Sequence, residues 1–407
     1  MTLTLGDKQD FALVGGRVLT MAGDEYDDGV VVVRDGKVSA VGPRKKVRIP
    51  RSVEQIDVSG KWVAPGFVEA HAHLGLHEEG EGWAGDDTNE MTDPNGARLR
   101  ALDAINPDDQ GFRDALAGGV TTAVVKPGSG NPIGGQTVAM KVWGRIVDEM
   151  VIKNPCSVKS ALGENPKRVY GEKKTLPSTR LGVTAVIRDA LTSAREYAEA
   201  RSEKDSTEKY DASKEILAKV LAGEVPWCQH THRVDDIATA IRLADEFGYR
   251  LVINHGTEAH LIASHIADRD IPVVIGPLFT SRSKVEVRRR SLENPGHLAR
   301  AGVKVAITTD HPVVPIDFLI YQVALSVKEG LPREEALKTI TINPAEMLDL
   351  DDRVGSLAKG KDADIAVWDG DPLDVTSRCL QTFIDGRLVY EYVDGERRTA
   401  QPFENAS

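Results

Sequence analysis

The sequence predicts an α/β protein: a TIM-type (β/α)8 barrel over residues 63–349, with a small β-sandwich assembled from both chain ends, 1–62 and 350–407. Three observations predict it. Blocks of short strands and turns bracket the chain at its two ends. Between them, almost wholly apolar runs alternate with helical patterns, as expected of a parallel sheet covered on both faces. About eight such runs are present, the number that closes a barrel of this type.

The opening block holds FALVGGRVLTMAG, DGVVVVRDGKVSAVG and VEQIDVSGKWVAPG, with Asp35-Gly36 as a hairpin turn. The closing block holds KDADIAVWDGDPL and LQTFIDGRLVYEYVDG, with Asp-Gly turns at Asp369-Gly370, Asp385-Gly386 and Asp394-Gly395. Neither block is long enough to bury a core alone, so the two are expected to pair. The strands between are expected at 63–70, 120–126, 137–143, 157–162, 225–229, 250–254, 271–275 and 303–308. The intervening VDDIATAIRLADEFG carries Ile237, Ile241, Ala244 and Phe247 near a 3.6-residue period, and Gly248 fits the residue after a helix C-cap. Two charged stretches, 77–110 and 165–213, read as long loops rather than scaffold; the first has seven acids between Glu78 and Asp93.

The chain has 407 residues, 41% hydrophobic and 28% charged, with a formal charge of −11. That balance suits a globular protein with a large core. A net acidic surface argues against sequence-blind binding to nucleic acid or an anionic membrane, which both need a basic footprint. Cys156, Cys228 and Cys379 are too scattered for a disulfide framework or thiolate cage, so a reducing cytoplasm is the simplest home. The start MTLTLGDKQDF shows no signal-peptide pattern, and no apolar run is long enough to span a bilayer. The expected partner is a small-molecule substrate, with homo-oligomerisation left open.

The sharpest chemical signal is APGFVEAHAHLG. His71 and His73 stand two apart at a strand end, and residues i and i+2 of a strand share a face, so both imidazoles can grip one cation. A bare HxH is as often a pair of ordinary surface histidines. What shifts the balance is that other strand ends carry ligand-type residues in turn: Glu164 in SALGENPK, His230 and His232 in PWCQHTHR, His255 in LVINHG and Asp310 in VAITTDHP. Singly, Glu164 and Asp310 read as helix caps and His255 as a turn histidine. Together they form a nitrogen-and-oxygen set that suits zinc, with iron or manganese also compatible. The glycines of PGSGNPIGGQ lack the Gly-Lys-Ser/Thr ending of a phosphate loop, so that reading is discarded.

These motifs resemble the amidohydrolase superfamily, and within it the imidazolonepropionase-like branch that also holds prolidase-like and carboxypeptidase-like dipeptidases. The resemblance runs from LVGGRVLT through PGFVEAHAHLG, AGGVTTAVVKPGSGNPIGGQ and INHGTEAHLIA to TTDHP and GSLAKGKDADIAVWDGDPL. It implies the barrel and composite sandwich described above. It also implies His71, His73, His230, His255 and Asp310 as metal ligands, with His232 an alternative to His230 or a substrate contact. Glu164 falls where some members place a carboxylated lysine and others a glutamate; Lys159 and Lys126 are the nearby lysines. One or two ions are therefore expected.

The expected reaction is metal-dependent hydrolysis of a C–N bond, in an imidazolone-like cyclic amide or a peptide-like or N-acyl amino acid. A divalent cation lowers the pKa of the water it holds from about 15.7 toward 7. Asp310 then moves the proton, and His232 or a second ion faces the oxyanion. The same chemistry would serve a deaminase. A barrel kept only for assembly would have lost these ligands. For the substrate, Arg282 in FTSRSKVEVRRR is a carboxylate clamp or part of a solvated basic face, and Tyr170, Asn165 and Lys167 follow Glu164 closely enough to line a pocket.

Overall fold

The structure is a computed structural model that describes residues 4–402; residues 1–3 and 403–407 of the expected terminal unit lie outside them. Both chain ends enter one nine-stranded sheet. Its order is Glu396–Thr399, Arg387–Val393, Cys379–Ile384, Ile365–Trp368, Trp62–Pro65, Phe11–Leu19, Glu25–Arg34 and Lys37–Pro43, with Glu54–Asp57 also on Phe11–Leu19. Phe11 and Phe383 sit three strands apart in that order, yet their ring centroids are 4.8 Å apart. The sheet must therefore curl, and it wraps Leu13, Val31, Val63, Ile365 and Leu388 into a core of its own.

The junction with the rest of the chain is Gly66. The expected strand 63–70 divides there: Trp62–Pro65 pairs with Ile365–Trp368, and Phe67–Ala72 pairs with Val120–Val125. A Cβ on Gly66 would stand 2.2 Å from Thr121, so only glycine lets the chain pass between the two sheets here.

Two further sheets carry the strand ends of interest. One runs Val151–Lys153, Val138–Lys141, Val120–Val125, Phe67–Ala72. The other runs Val305–Ile307, Val273–Ile275, Leu251–His255, Trp227–Thr231, Val158–Ala161, Ile133–Gln136, parallel throughout except for its last member. Hydrogen bonds join the sheets at both ends. Thr137 donates from its backbone N–H to Ser157 O (2.9 Å) and accepts from Cys156 N–H (2.8 Å). Thr308 Oγ1 donates to His71 O (2.7 Å), and His73 N–H donates to His311 O (2.8 Å). The third expected strand differs in direction: Val138–Lys141 runs antiparallel to Val120–Val125, because the short return through Ile133–Gln136 leaves no room for a crossover helix.

The charged stretch 165–213 is not a loop. Glu164–Glu172, Arg180–Ser202 and Ala212–Leu221 are helices. Val183, Ile187, Leu191 and Ala194 make a buried stripe at helical spacing, and Thr179 caps the long helix through a bond from Gly182 N–H. Its charges are the solvated face. The stretch 77–110 stays mostly irregular, with one-turn helices at Gly82–Gly85 and Ala101–Ala104. Among the described residues no helix is long and apolar enough to cross a membrane.

Candidate metal centre

His71, His73, His230, His232, His255 and Asp310 all arrive at one place. They stand at or just beyond the C-terminal ends of Phe67–Ala72, Trp227–Thr231, Leu251–His255 and Val305–Ile307. His71 and His255 ring centroids are 4.8 Å apart, His230 and His255 4.5 Å, and His230 and His232 4.7 Å. Ligand atoms of His71, His255 and Asp310 fall within 4.8 Å of one another, as do those of His230, His232 and Glu286. His255 and Asp310 both hold left-handed backbone, φ 71° and 54°. Such strain in non-glycine residues persists where the surroundings over-determine it, often at functional sites.

Second partners fix the rings. His73 Nδ1 lies 2.7 Å from Lys126 O and His255 Nδ1 2.8 Å from Gly276 O. A carbonyl only accepts, so each Nδ1 carries the proton and a neutral ring presents its Nε2 lone pair inward. That lone pair on His73 faces Asp310 Oδ1 at 3.4 Å, and His71 Nε2 faces the same oxygen at 3.0 Å. Burial pushes His71 and His230 well below the usual imidazole range, and His255 down to about 4, so these rings are neutral near pH 7. Burial would raise Asp310, but the neighbouring imidazoles of His255, His71 and His73 outweigh it and hold the carboxyl well below the ordinary carboxylate range. Both nitrogens of buried His230 lack a hydrogen-bond partner. Acceptors converging on acceptors, with orphaned ring nitrogens beside them, are a donor set that fits a cation.

Lys159, one of the two lysines near the expected Glu164 position, reaches the first ligand group. Its Nζ lies 3.4 Å from His71 Nε2 and 3.2 Å from Pro127 O, and burial lowers it to about 7. The signal was a lysine inside the short strand Val158–Ala161, which is buried throughout. Glu164 instead opens a helix, its backbone N–H bonded to Glu286 Oε2, and it joins neither ligand group. Lys126 points elsewhere, with Nζ 3.4 Å from Cys228 Sγ.

Two carboxylates had no reading as site residues. Glu286 is buried, 3.8 Å from His232 Nε2 and 3.1 Å from Lys284 Nζ; its setting, VEVRRR, looks like an exposed basic turn. Glu69 is buried two residues before His71 and accepts from His71 N–H, Thr309 N–H and the Thr309 hydroxyl; the Thr308 hydroxyl lies within reach of both Glu69 and His71 O and has one proton for the two. Of the substrate candidates, Tyr170 is buried with its hydroxyl on Asn131 Oδ1 (2.7 Å), Asn165 bonds Ser129 Oγ and Lys284 Nζ, and Lys167 is exposed. Arg282 is exposed and donates to Arg290 O (3.0 Å).

The chain matches the family model described as "Amidohydrolase family" over residues 181–390. An amidohydrolase of Thermotoga maritima MSB8 superposes with a TM-score of 0.90 at 43% identity, over 94% of this chain and 100% of that one. An imidazolonepropionase of Sphingopyxis alaskensis is 24% identical over 89% of this chain and 92% of its own length. The amidohydrolase tasK of Hapsidospora irregularis is 28% identical over 89% of this chain, which spans only 40% of that longer protein. Agreement at this level, over nearly the whole length of this chain, makes it a member of the amidohydrolase family.

Proposed function

We propose that the protein is a metal-dependent hydrolase of a C–N bond, in an imidazolone-like cyclic amide or a peptide-like or N-acyl amino acid substrate. The observation that carries this reading is the set of inward Nε2 lone pairs of His73 and His255 meeting Asp310. The imidazolonepropionases among its relatives support the cyclic-amide arm. We read the two strand-bearing sheets, joined at both ends, as the arcs of one (β/α)8 barrel over residues 63–349. The nine-stranded sheet is then the composite domain of 1–62 with 350–407. Three free, buried cysteines support a reducing cytoplasm.

His71, His73, His255 and Asp310 would hold one ion, zinc in the first place. His230 would hold a second, with Lys159 between the two groups in place of Glu164. When bound, a divalent ion makes water nucleophilic near neutral pH and polarises a carbonyl. Asp310 accepts the attacking water's proton at its carboxylate and returns it to the leaving nitrogen. The Thr257 hydroxyl, 2.8 Å from His232 Nδ1, can donate to that nitrogen. His232 then carries its proton on Nε2 and offers it to the developing oxyanion.

The test is a panel of imidazolones, dipeptides and N-acyl amino acids with the zinc-loaded protein, following amine or carboxylate release. Hydrolysis that a chelator abolishes and zinc restores supports the reading. Ammonia as the product would make it a deaminase. Freshly purified protein without metal and without turnover would overturn it.

A further inference from the structure

The helix Gln110–Ala117 ends against the nine-stranded sheet at a recess of about 180 Å³, which no residue of the metal centre lines. Polar groups gather there that the protein leaves without partners. Asp317 is half-buried on its wall, and among the described residues no side chain bonds or pairs with its carboxylate. Arg378 and Arg397 line the recess from the sheet side and stay exposed; among the described residues neither guanidinium forms an ion pair. Arg378 stacks over the Tyr392 ring at 4.1 Å, which fixes its plane and leaves its N–H edge free. The charge of Arg397 acts on both Asp317 and the Tyr390 hydroxyl, so all three face one space. Opposite charges thus share a recess and do not meet.

Two buried groups are orphaned beside them. Trp368 is 2% exposed, and its Nε1–H has no acceptor. Tyr390 is 2% exposed, and among the described residues its hydroxyl makes no hydrogen bond. The indole edge next to Nε1 borders the turn at Gly118 and Gly119: a Cβ on Gly119 would lie 3.1 Å from Trp368 Cζ2, and Gly118 is part of the recess wall. Unmet buried polar groups are costly, and each calls for a partner. An anion alone would meet Asp317, and a cation alone would meet two guanidiniums. A zwitterion satisfies both signs.

We infer that this recess binds a free α-amino acid, its carboxylate on Arg397 and Arg378 and its ammonium on Asp317. A guanidinium matches a carboxylate through paired N–H bonds, and the Trp368 N–H and Tyr390 hydroxyl offer further donors to the same group. The volume is that of about six waters at roughly 30 Å³ each, room for a small amino acid. Binding here needs no turnover at the metals.

The test is calorimetric titration of the zinc-loaded protein at pH 8, where Asp317 carries its charge. The probes are L-alanine and L-leucine. Each is matched by the carboxylate that lacks the amine (propionate, isocaproate) and by the amine that lacks the carboxylate (ethylamine, isopentylamine). At least one amino acid should bind, with both of its analogues weaker by roughly ten- to hundredfold, the worth of a charge-assisted bond. Arg397→Gln should weaken the amino acid by a similar factor and leave the amine unchanged. Asp317→Asn should weaken the amino acid and no longer penalise the carboxylate. Amino acid affinity that keeps its wild-type value in both variants would place the ligand on the metals and overturn the site. So would analogues that bind as tightly as their parent, or no binding by either amino acid. If one variant does not fold, the other decides together with Arg378→Gln, which should also weaken the amino acid.

Discussion

The Glu69 carboxylate holds Thr309 twice, from its backbone N–H at 2.9 Å and from its hydroxyl at 2.7 Å, and so ties the first strand of the metal centre to the last. Its other oxygen takes His71 N–H at 3.0 Å. One buried group thus sets the spacing between His71 and Asp310, which sits directly after Thr309. Glu69→Gln exchanges an acceptor oxygen for an NH2 that faces donors. One or two unmet buried donors should cost about 2–4 kcal/mol, read as a lower denaturant midpoint. Zinc affinity should fall with it, because the two ligands lose their common brace. Wild-type stability and zinc affinity together would show that the brace is idle.

Asp310→Asn isolates proton transfer from folding. Asparagine tolerates left-handed backbone well, so φ 54° at this position is kept at little cost. The fold should survive, with a melting temperature close to wild type, while kcat drops by several orders of magnitude. Turnover within tenfold of wild type would remove Asp310 from the proton-transfer role.

How far the sequence reveals this site depends on how each residue reaches it. His71, His73, His230, His255 and Asp310 come from strand ends, where a two-residue period and strand order fix direction, so they are readable before any coordinates. Glu286 comes from the irregular segment after Val273–Ile275, whose path is set by tertiary contacts such as Lys284 with Asn165. No period predicts which of its charges turns inward, and attention falls on Arg282 although Glu286 is the one buried. The helix Arg180–Ser202 is missed for another reason: its charges are conspicuous, and its apolar stripe of Val183, Ile187 and Leu191 is narrow. The reversed strand Val138–Lys141 is invisible to pattern reading, since an apolar run looks the same in either direction.

Lys159 Nζ lies 3.4 Å from His71 Nε2, beside the first ligand group, and in the two-ion reading removing it should weaken the hold on the second ion. Lys159→Met keeps the volume and the apolar stem in the strand Val158–Ala161. The expected result is fewer bound zinc ions per chain, from two toward one, by elemental analysis after dialysis, with a folded protein by circular dichroism. An unchanged zinc content would show that Lys159 takes no part in holding the second ion.

Asp317 gives a pH-dependent prediction away from the metals. Burial first, and Asp114 next, push its carboxyl up to about 6. An acid raised in the folded state contributes stability below its unfolded pKa, near 3.9, and loses it as the pH rises through the folded value. The native state therefore carries a penalty at pH 8 that is absent at pH 3.5. Asp317→Asn should be more stable than wild type by about 1–2 kcal/mol at pH 8, allowing for partial solvation, with the advantage disappearing between pH 6 and about 4. A constant difference across that range would mean that Asp317 does not titrate as described.

Lys141 joins the two halves of the molecule. It lies on Val138–Lys141, beside the site-bearing strands, but its ammonium is buried among Asp362 at 2.9 Å, Asp364 at 2.5 Å and Asp385 at 3.5 Å, which belong to the C-terminal part of the chain. Asp362 has further cations in Lys37 and Arg353; among the described residues Asp364 has Lys141 alone as an ion-pair partner. Lys141→Met leaves Asp364 buried and unpaired, which should cost about 3–5 kcal/mol. Adding Asp364→Asn removes the stranded charge, so the double variant should regain part of that loss, and the cycle should show a coupling well above the few tenths expected of independent sites. Strictly additive losses would mean that the two halves are held by their apolar contacts and that this ion pair contributes nothing to their attachment.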